Sequence, residues 1–402
     1  MVMMLKLSIS KLKGEKPQVL RKIDRRAIIG IGLLIVVLIA IIVAIIIGKH
    51  SYKPSKKAEK TTKAEATSEV TTEEPKELTV EEKMAKFEKE YLENRGDKGE
   101  DKTPPVLVAT DYSTAEKGAT QIPGPTFAVD DRDKSVNLTY EGEYDLNKLG
   151  DYPLVRVATD SSGNVTKKAF TLRVVEKKEK KEETVVKMDP YPLANAISKW
   201  KTDKTQIGID VSKWQGDIDW AKVKAGGVEF VMMRLGVQDG FRGERYVDRK
   251  FIQNFKGAQA AGLPVGVYFY SCATCAEDGA EDAKFVHKTL TENGFVPDLP
   301  IAFDWEEWGN ITIAKMSLGD LNDSFKMFSG VLQAAGYKTC LYQSKSYLAN
   351  GFWYDQDKYD IWLAQYYKEP TYEGKFFMWQ FSATGVVPGI AGDCDLDLMY
   401  LS

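Results

Sequence analysis

Histidine is scarce in this chain of 402 residues, which contains only His50 and His287. So few imidazoles leave little room for a serine–histidine–aspartate triad or a histidine-rich metal centre. The chain has 58 aspartate and glutamate residues. Carboxylates are therefore the first groups to consider for acid–base catalysis.

Cysteine is also rare, and the four cysteines all lie in the last third of the chain. They are too few for a disulfide-dense scaffold. Cys272 and Cys275 form a C-x-x-C pair, but no second pair or nearby histidine completes a set of four zinc ligands. A redox or zinc role is the alternative to buried thiols or one local disulfide. We expect neither a cofactor nor a metal ion.

An excess of one charge is missing as well, because 55 lysine and arginine residues balance the acidic residues to a net charge of −3. Such a chain has no overall field that attracts nucleic acid, so we expect no nucleic-acid partner. The charges are nevertheless uneven: residues 1–26 are rich in lysine and arginine, and residues 27–48 have no charge at all.

The uncharged run 27–48 is long and apolar. Its length matches the ~20 residues that a helix needs to cross a ~30 Å hydrocarbon core, so it predicts a transmembrane helix. A cleaved signal peptide is the alternative, but its apolar region is shorter and ends at a small-residue cleavage site that is missing here. The basic residues 1–26 predict a cytoplasmic tail, with the rest of the chain outside. We expect a single-pass protein of the cell membrane of a Gram-positive bacterium.

Two stretches have the composition of solvated linkers, residues 49–103 and residues 177–204. Within the first, Thr79 followed by Glu82 resembles a capping box, and apolar residues follow at helical spacing. These features predict a short helix, either as an isolated amphipathic turn or as part of a brief coiled coil.

Residues 104–176 contain short β-rich runs separated by turn residues, which predicts a small antiparallel sandwich. The segment 149–175 resembles the closing hairpin of bacterial immunoglobulin-like surface modules. A rigid spacer and a module that binds wall polymer or protein are alternative roles. Four aspartates could hold calcium or simply lie in solvated turns: Asp130, Asp131, Asp133 and Asp160.

Residues 205–402 alternate strand-like apolar runs with helical patterns around residues 247–261, 277–292 and 316–335. Eight β runs, the first five with this alternation, predict an α/β TIM-like barrel. The last two connections are about ten residues long and carry no helical pattern, so some final strands are expected to run antiparallel.

Acidic and aromatic residues follow several of these strands, and in a barrel of parallel strands such residues converge on one face. Asp304 and Glu306 are two positions apart, so both side chains point the same way while Trp305 points away. Two carboxylates in a partly apolar pocket are costly to ionise together, so one pKa is expected to rise and that group to act as a general acid. The other strand ends carry Asp210, Tyr268, Tyr270, Gln365 and Tyr366.

The motifs of this region resemble, in their order, those of glycoside hydrolase family 25, the muramidases or lysozymes. The segments that carry the resemblance are IGIDVSKWQGDIDW, VEFVMMRLG, GVYFYS, PIAFDWE, LYQSKSYL, IWLAQY, FMWQF and CDLDLMY. The resemblance covers residues 205–402 and implies an irregular barrel of the (β/α)5(β)3 type. It also implies cleavage of the β-1,4 bond between N-acetylmuramic acid and N-acetylglucosamine in peptidoglycan.

The resemblance further implies site residues. Glu306 is expected to be the general acid, and Asp304 the carboxylate that stabilises an oxocarbenium-like transition state or assists the acetamido group. Asp210 and Asp395 are expected to complete the acidic pocket, although Asp393 and Asp397 lie close to Asp395 in the sequence. The expected substrate-binding residues are Tyr268, Tyr270, Gln365, Tyr366 and Trp379.

These features together predict a membrane-anchored wall hydrolase with an N-terminal transmembrane helix, a small all-β immunoglobulin-like sandwich and a C-terminal TIM-like barrel. Its expected partners are peptidoglycan, the membrane and a wall or protein partner of the β module. The alternative is a scaffold protein whose barrel binds wall glycan without cleaving it.

Overall fold

The chain divides into two units, Met1–Glu74 and Pro75–Ser402, and the computed structural model describes residues of the second. The described residues are 77–96, 99–124, 126–177, 189–306, 311–350 and 353–401. The predicted cytoplasmic tail 1–26 and transmembrane helix 27–48 lie outside them. Among the residues that are described, no helix combines the length and the apolarity needed to cross a membrane.

A helix precedes the β strands, as the capping-box sequence predicted. Helix α1 is Val80–Glu93. The Thr79 hydroxyl accepts a hydrogen bond from the Glu82 amide at 3.2 Å, and the Glu82 carboxylate accepts one from the Thr79 amide at 2.8 Å. These bonds satisfy amides that a helix N terminus otherwise leaves without partners, so the helix begins here.

The β module is a set of short strands. They are β1 (Val106–Val108), β2 (Tyr112–Glu116), β3 (Phe127–Val129), β4 (Asn137–Glu141), β5 (Gly150–Thr159) and β6 (Val165–Val175). Strands β4, β5 and β6 are antiparallel neighbours, β2 pairs with the other edge of β6, and β1 pairs with β3 separately. Leu154, Phe170 and Leu172 of the β5–β6 hairpin are buried together and form the centre of a small core.

The C-terminal domain alternates strands and helices. Its strands are β7 (Tyr191–Pro192), β8 (Thr205–Val211), β9 (Phe230–Gln238), β10 (Arg245–Val247), β11 (Val265–Tyr270), β12 (Ile301–Asp304), β13 (Thr339–Ser344), β14 (Ile361–Ala364), β15 (Met378–Val386) and β16 (Cys394–Tyr400). Its helices are α2 (Leu193–Trp200), α3 (Trp220–Ala225), α4 (Phe251–Ala260), α5 (Ala276–Asn293), α6 (Ile311–Ala314), α7 (Leu318–Ala334) and α8 (Lys345–Ala349). Helices α4, α5 and α7 confirm the three helices that the hydrophobic periodicity predicted.

Eight of these strands form a barrel-like sheet in the order β8, β9, β11, β12, β13, β14, β15 and β16. The ring closes because β8 pairs with both β9 and β16. Neighbouring strands from β8 to β15 are parallel, whereas β16 is antiparallel to both of its neighbours. The carboxyl ends of the parallel strands therefore meet at one rim, together with the amino end of β16.

The fold class predicted from the sequence needs correction. The described residues contain no membrane-spanning helix. The predicted antiparallel sandwich needs correction in one pairing, because β2 runs parallel to β6. The expectation that some final strands run antiparallel is confirmed for β16, whereas β15 is parallel to β14 although residues 365–377 between them form no helix. Apolar alternation indicates which face of a strand is buried but not its direction, and an extended segment of this length can return along a short strand without a helix.

Parts of both predicted linkers pack on the barrel domain. Helix α1 lies against α7, with Met84 buried and the Tyr91 hydroxyl donating a hydrogen bond to Asp323 at 2.9 Å. In the second linker, β7 pairs with β15, and α2 buries Leu193 and Ala196. Composition indicated linkers because charged residues surround these few apolar ones, yet the apolar residues share a face that the barrel covers.

The close approach of α1 to α7 depends on Gly330. A Cβ atom at this position would lie 1.9 Å from Cζ of Phe87. We expect Gly330→Ala to lower the free energy of unfolding by about 1–3 kcal/mol through overpacking. In a Phe87→Ala background, the same change should be neutral or stabilising by up to about 1 kcal/mol, because alanine favours a helix more than glycine does. Denaturant unfolding of this double-mutant cycle measures the coupling, and equal effects of Gly330→Ala in both backgrounds would contradict the packing.

Candidate active site

A pocket of about 240 Å³ lies at the rim where the parallel strands end. It is lined by Asp210, Ser212, Trp214, Gln215, Arg234, Tyr268, Tyr270, Asp304, Glu306, Tyr342, Trp362, Tyr366, Gln380 and Asp395. The lining includes every carboxylate predicted as catalytic and three of the predicted substrate-binding residues, Tyr268, Tyr270 and Tyr366. The strand ends thus converge on one cavity, as parallel topology requires.

Asp304 and Glu306 extend from the end of β12 into this pocket. Asp304 is only 5% exposed, whereas Glu306 is exposed to solvent. Trp305 points into the core, where its Nε1 donates a hydrogen bond to the Ala273 carbonyl at 3.0 Å, so the predicted alternation is confirmed. Burial raises the pKa of Asp304 well above its usual value, the charge of Glu306 raises it further, and Arg234 opposes the shift. Burial and a neighbouring carboxylate thus favour the protonated form of Asp304.

A second group of carboxylates meets where β16 closes the barrel against β8. Asp395 lies opposite Asp210 in the strand register. Asp397 points to the same face of β16 because it is two residues further along, and it is completely buried. Its Oδ1 accepts a hydrogen bond from Nε1 of Trp362 at 2.8 Å. Asp393, by contrast, is exposed and does not line the pocket.

These carboxyl groups hold protons more tightly than ordinary aspartates. Burial raises the pKa of Asp210 well above its usual value, and the charges of Asp395 and Asp397 add to the shift. Burial also raises the pKa of Asp397. The pKa of Asp395 is raised to about 6, first by burial and then by the charge of Glu306. Proximity and desolvation thus keep part of the group protonated near neutral pH.

The pocket is short of positive charge. Among the described residues that line it, Arg234 is the only cation. Its guanidinium donates to Asp248 Oδ2 from Nε at 2.9 Å and from Nη2 at 2.7 Å. An arginine already paired in this way cannot neutralise several further carboxylates, so the remaining charge is reduced by bound protons.

Gln380 is a central residue that the sequence interpretation missed. Its Nε2 donates a hydrogen bond to Asp210 Oδ2 at 2.7 Å. Its Oε1 accepts hydrogen bonds from the hydroxyls of Tyr342 and Tyr366, at 2.8 and 2.9 Å. The two phenols fix the orientation of the amide, and the amide in turn positions Asp210. The FMWQF motif contains Gln380, but strand alternation alone does not indicate which of its neighbours faces the site.

Trp379 and Gln365, both predicted to bind substrate, do not line the pocket. Trp379 is completely buried in the core, and its Nε1 donates a hydrogen bond to the Gln365 carbonyl at 2.7 Å. The Gln365 side chain donates to Thr371 Oγ1 at 2.7 Å and accepts from the Thr371 amide at 3.0 Å. Both residues instead hold the segment after β14, because Trp379 points to the opposite side of β15 from Gln380.

Trp214 is an aromatic lining residue that the sequence interpretation did not include. It lies in the 3₁₀ turn Lys213–Gln215 after β8 and is 71% exposed. The Ser212 side chain accepts a hydrogen bond from the Trp214 amide at 3.3 Å and so starts this turn. An indole at the mouth of an acidic pocket offers a flat surface for stacking on a sugar ring.

All four cysteines are free thiols. Cys272 is buried, and its amide donates a hydrogen bond to the Gln238 side chain at 3.0 Å. Cys272 and Cys275 are therefore thiols and do not form the local disulfide that was one of the interpretations of this pair.

Because buried carboxyl groups have raised pKa values, we expect the free energy of unfolding to depend on pH. Folding raises the pKa of Asp395 from 3.8 to about 6, so between these values the folded state binds more protons than the unfolded state. The free energy of unfolding therefore falls as the pH rises from about 4 to about 6. Asp395→Asn removes this loss, and we expect it to stabilise the protein by roughly 1–3 kcal/mol at neutral pH.

Denaturant unfolding across this pH range measures the effect. Asp357→Asn is the matched control, because Asp357 is an exposed aspartate that does not line the pocket. The control should keep the pH dependence of the wild type. An equally steep dependence in Asp395→Asn would show that this carboxyl does not hold its proton as described.

Comparison with known proteins supports the family inferred from the motifs. Residues 209–390 match the family described as "Glycosyl hydrolases family 25". The chain is 28% identical over 191 residues to the autolytic lysozyme of Clostridium acetobutylicum, covering 47% of this chain and 54% of that protein. It is also 28% identical over 206 residues to lysozyme M1 of Streptomyces globisporus, covering 47% of this chain and 65% of that protein. The chain therefore spans about half to two thirds of the length of these relatives.

Solved structures include a family 25 glycosyl hydrolase from Bacillus anthracis that is 23% identical, with a TM-score of 0.42, over 50% of this chain and 92% of that one. Neither membrane anchoring nor an immunoglobulin-like module is shown by these comparisons. These sequence matches support the assignment of the C-terminal domain to family 25 of the glycosyl hydrolases.

Proposed function

We propose that the chain is a peptidoglycan hydrolase of the muramidase, or lysozyme, type. The proposed reaction cleaves the β-1,4 bond between N-acetylmuramic acid and N-acetylglucosamine. The observation that carries this proposal is the convergence of Asp304, Glu306, Asp210 and Asp395 on one pocket at the barrel rim. The similarity of the same region to two lysozymes supports it.

Glu306 is the proposed general acid. It is exposed, whereas Asp210 and Asp304 are buried, so Glu306 can reach a glycosidic oxygen of a polymer that enters from solvent. Its carboxyl proton passes to that oxygen as the bond from the sugar carbon to the oxygen breaks. Water then adds to the sugar carbon, and a proton of that water returns to a pocket carboxylate, which completes the hydrolysis.

Asp304 is proposed to act on the sugar whose bond is broken. Asp304 lines the pocket, and its buried Oδ1 has no hydrogen-bond partner among the described residues. Burial raises the pKa of Asp304, but the charge of Glu306 that adds to this shift is absent while Glu306 holds the catalytic proton, and Arg234 favours the charged form of Asp304. A charged Asp304 stabilises an oxocarbenium-like transition state or assists the acetamido group of the sugar.

Tyrosine and tryptophan side chains are proposed to position the glycan. Tyr268, Tyr270 and Tyr366 line the pocket, and Trp214 lies at its edge. Flat rings of this kind stack on sugar faces, while their polar atoms bond to hydroxyl groups. We propose that these residues place the scissile bond next to Glu306.

We further propose that the reaction takes place outside the cell membrane of a Gram-positive bacterium, with residues 1–26 on the cytoplasmic side. The support lies in the sequence, where a basic stretch is followed by the uncharged run 27–48 and then by a charged stretch. The β module comes between that run and the barrel in the sequence. It is proposed to act as a spacer or to bind wall polymer or protein.

Replacement of Glu306 tests the catalytic assignment. Glu306→Gln keeps the shape and hydrogen-bonding capacity of the side chain but removes its transferable proton. We expect turnover to fall by about 10² to 10⁴, while binding to wall glycan is largely retained. New reducing ends released from purified peptidoglycan by the full-length chain measure turnover, and co-sedimentation with the same glycan measures binding.

Glu292→Gln is the matched control for this experiment, because Glu292 is an exposed residue of α5 outside the pocket. It should keep the activity of the wild type. Near-normal turnover by Glu306→Gln would contradict the role of Glu306. Binding of glycan by the wild type without any new reducing ends would favour the scaffold alternative instead.

Protease treatment tests the localisation. Protease added to intact cells from which the wall has been removed should release fragments from beyond residue 50 and leave residues 1–26 uncut, because the membrane shields the cytoplasmic side. Antibodies against tags at the two ends of the chain detect the outcome. Protection of the C-terminal end in intact cells, with cleavage after lysis, would contradict the outward orientation.

A further inference from the structure

Three carboxylates meet away from the pocket, at the junction of the β module with the barrel domain. One oxygen atom each of Asp101, Asp130 and Asp131 lies within 4.8 Å of the other two. Two oxygens that bind the same calcium ion, each at about 2.3–2.6 Å, can be about 5 Å apart at most. The cluster therefore has the dimensions of a set of calcium ligands.

Asp130 offers this cluster an oxygen atom that no hydrogen bond uses. The side chain is 1% exposed. Its Oδ1 accepts hydrogen bonds from the amides of Arg132 and Asp133, both at 2.8 Å. Its Oδ2 and the buried Oδ1 of Asp131 have no hydrogen-bond partner among the described residues. A buried carboxylate oxygen without a partner costs free energy, which a bound cation offsets.

The nearest arginine leaves most of this negative charge unbalanced. Arg132 Nε lies 3.7 Å from Asp131 Oδ2 and 3.9 Å from Asp101 Oδ1. The guanidinium also donates a hydrogen bond to the Gly99 carbonyl at 2.6 Å. Three carboxylates and one guanidinium have formal charges of −3 and +1, which leaves −2, the charge that a divalent cation neutralises. Burial, together with the charges of Asp130 and Asp101, raises the pKa of Asp131, as expected for carboxylates crowded in this way.

The cluster lies where the β module contacts α7 of the barrel domain. The backbone carbonyls of Asp130 and Asp131 accept hydrogen bonds from the amides of Leu318 and Gly319, at 2.6 and 3.0 Å. Asp101 belongs to a different segment, which precedes β1. A cation held by the three carboxylates therefore joins this segment to the end of β3 and fixes the backbone that caps α7.

We propose that Asp101, Asp130 and Asp131 form a calcium site that stiffens the junction between the β module and the barrel. Carboxylate oxygens are ligands for hard cations, and calcium accepts irregular sets of 6–8 oxygens at distances that suit this spacing. Magnesium, by contrast, demands near-ideal octahedral geometry at about 2.0–2.1 Å. Backbone carbonyls or water complete the calcium shell. The site is separate from the catalytic pocket, so its occupation is measured without substrate.

Calcium binding to the full-length chain tests this proposal. The chain is first freed of metal with a chelator and then titrated with calcium chloride in a calorimeter. We expect one calcium ion to bind, and about 2 mM calcium to raise the Tm by about 2–4 °C, as for extracellular calcium sites of moderate affinity. Magnesium at the same concentration should give a smaller shift. Absence of binding, or an equal shift with magnesium, would overturn the assignment of calcium.

Two conservative variants locate the ion. Asp130→Asn and Asp131→Asn should each weaken calcium binding by at least about tenfold, because each removes one charged ligand. In chelator, Asp131→Asn should unfold at a Tm no lower than that of the wild type, because it relieves repulsion among the carboxylates. Glu143→Gln, at an exposed position of the same module, is the control and should keep the affinity. Unchanged affinity in both aspartate variants would show that the ion binds elsewhere.

Hydrogen exchange tests the effect on the junction. The amides of Leu318 and Gly319 donate to the carbonyls of the two ligand residues, so calcium should slow their exchange with solvent. Amides of α4, which is remote in the sequence and carries none of the ligands, serve as the internal reference. Slowing at Leu318 and Gly319 that is no greater than in α4 would contradict the stiffening of this junction.

Discussion

The crowding of carboxyl groups at one rim of the barrel is the constraint on which the barrel domain depends. Asp210, Asp304 and Asp397 are buried, and their pKa values are raised because burial disfavours the charged form. The antiparallel direction of β16 is essential to this arrangement. An antiparallel strand begins at the rim where parallel strands end, so Asp395 near its start lies opposite Asp210 near the end of β8. A parallel last strand would carry this aspartate to the other end of the barrel.

Neutral hydrogen-bond donors make the crowding tolerable without removing it. Gln380 donates to Asp210, and Trp362 donates to Asp397, but neither donor carries a charge. Such bonds satisfy carboxylate oxygens and still leave the pKa raised, whereas an arginine or lysine in the same place would lower it. The one lining arginine, Arg234, is occupied by Asp248. The pocket therefore keeps exchangeable protons at a pH where isolated aspartates have lost theirs.

Sequence patterns indicated those features that depend on local periodicity. The two-residue spacing of Asp304 and Glu306 indicated that their side chains point the same way. The helical periodicity of apolar residues indicated helices α4, α5 and α7. The same period of two could not separate Trp379 from Gln380, because both faces of a barrel strand are covered and hydrophobicity no longer distinguishes inside from outside. Strand direction was predicted only in part, because the short connections indicated antiparallel final strands, which holds for β16 but not for the parallel β14–β15 pair. The packing of α1 and α2 depends on a distant surface, which linker composition does not reveal.

The two acidic clusters of this chain differ in access, and access determines what can balance their charge. The catalytic pocket is open beside the exposed Glu306, so water and a polymer can exchange protons with its carboxyls. The junction cluster lies beside backbone contacts to α7, and its unpartnered Asp130 Oδ2 is buried. A site that admits a large substrate gains from movable protons, because proton transfer is the chemistry proposed for it. A site between two packed parts gains from a fixed ion, because the same carboxylates then hold separate segments of backbone together.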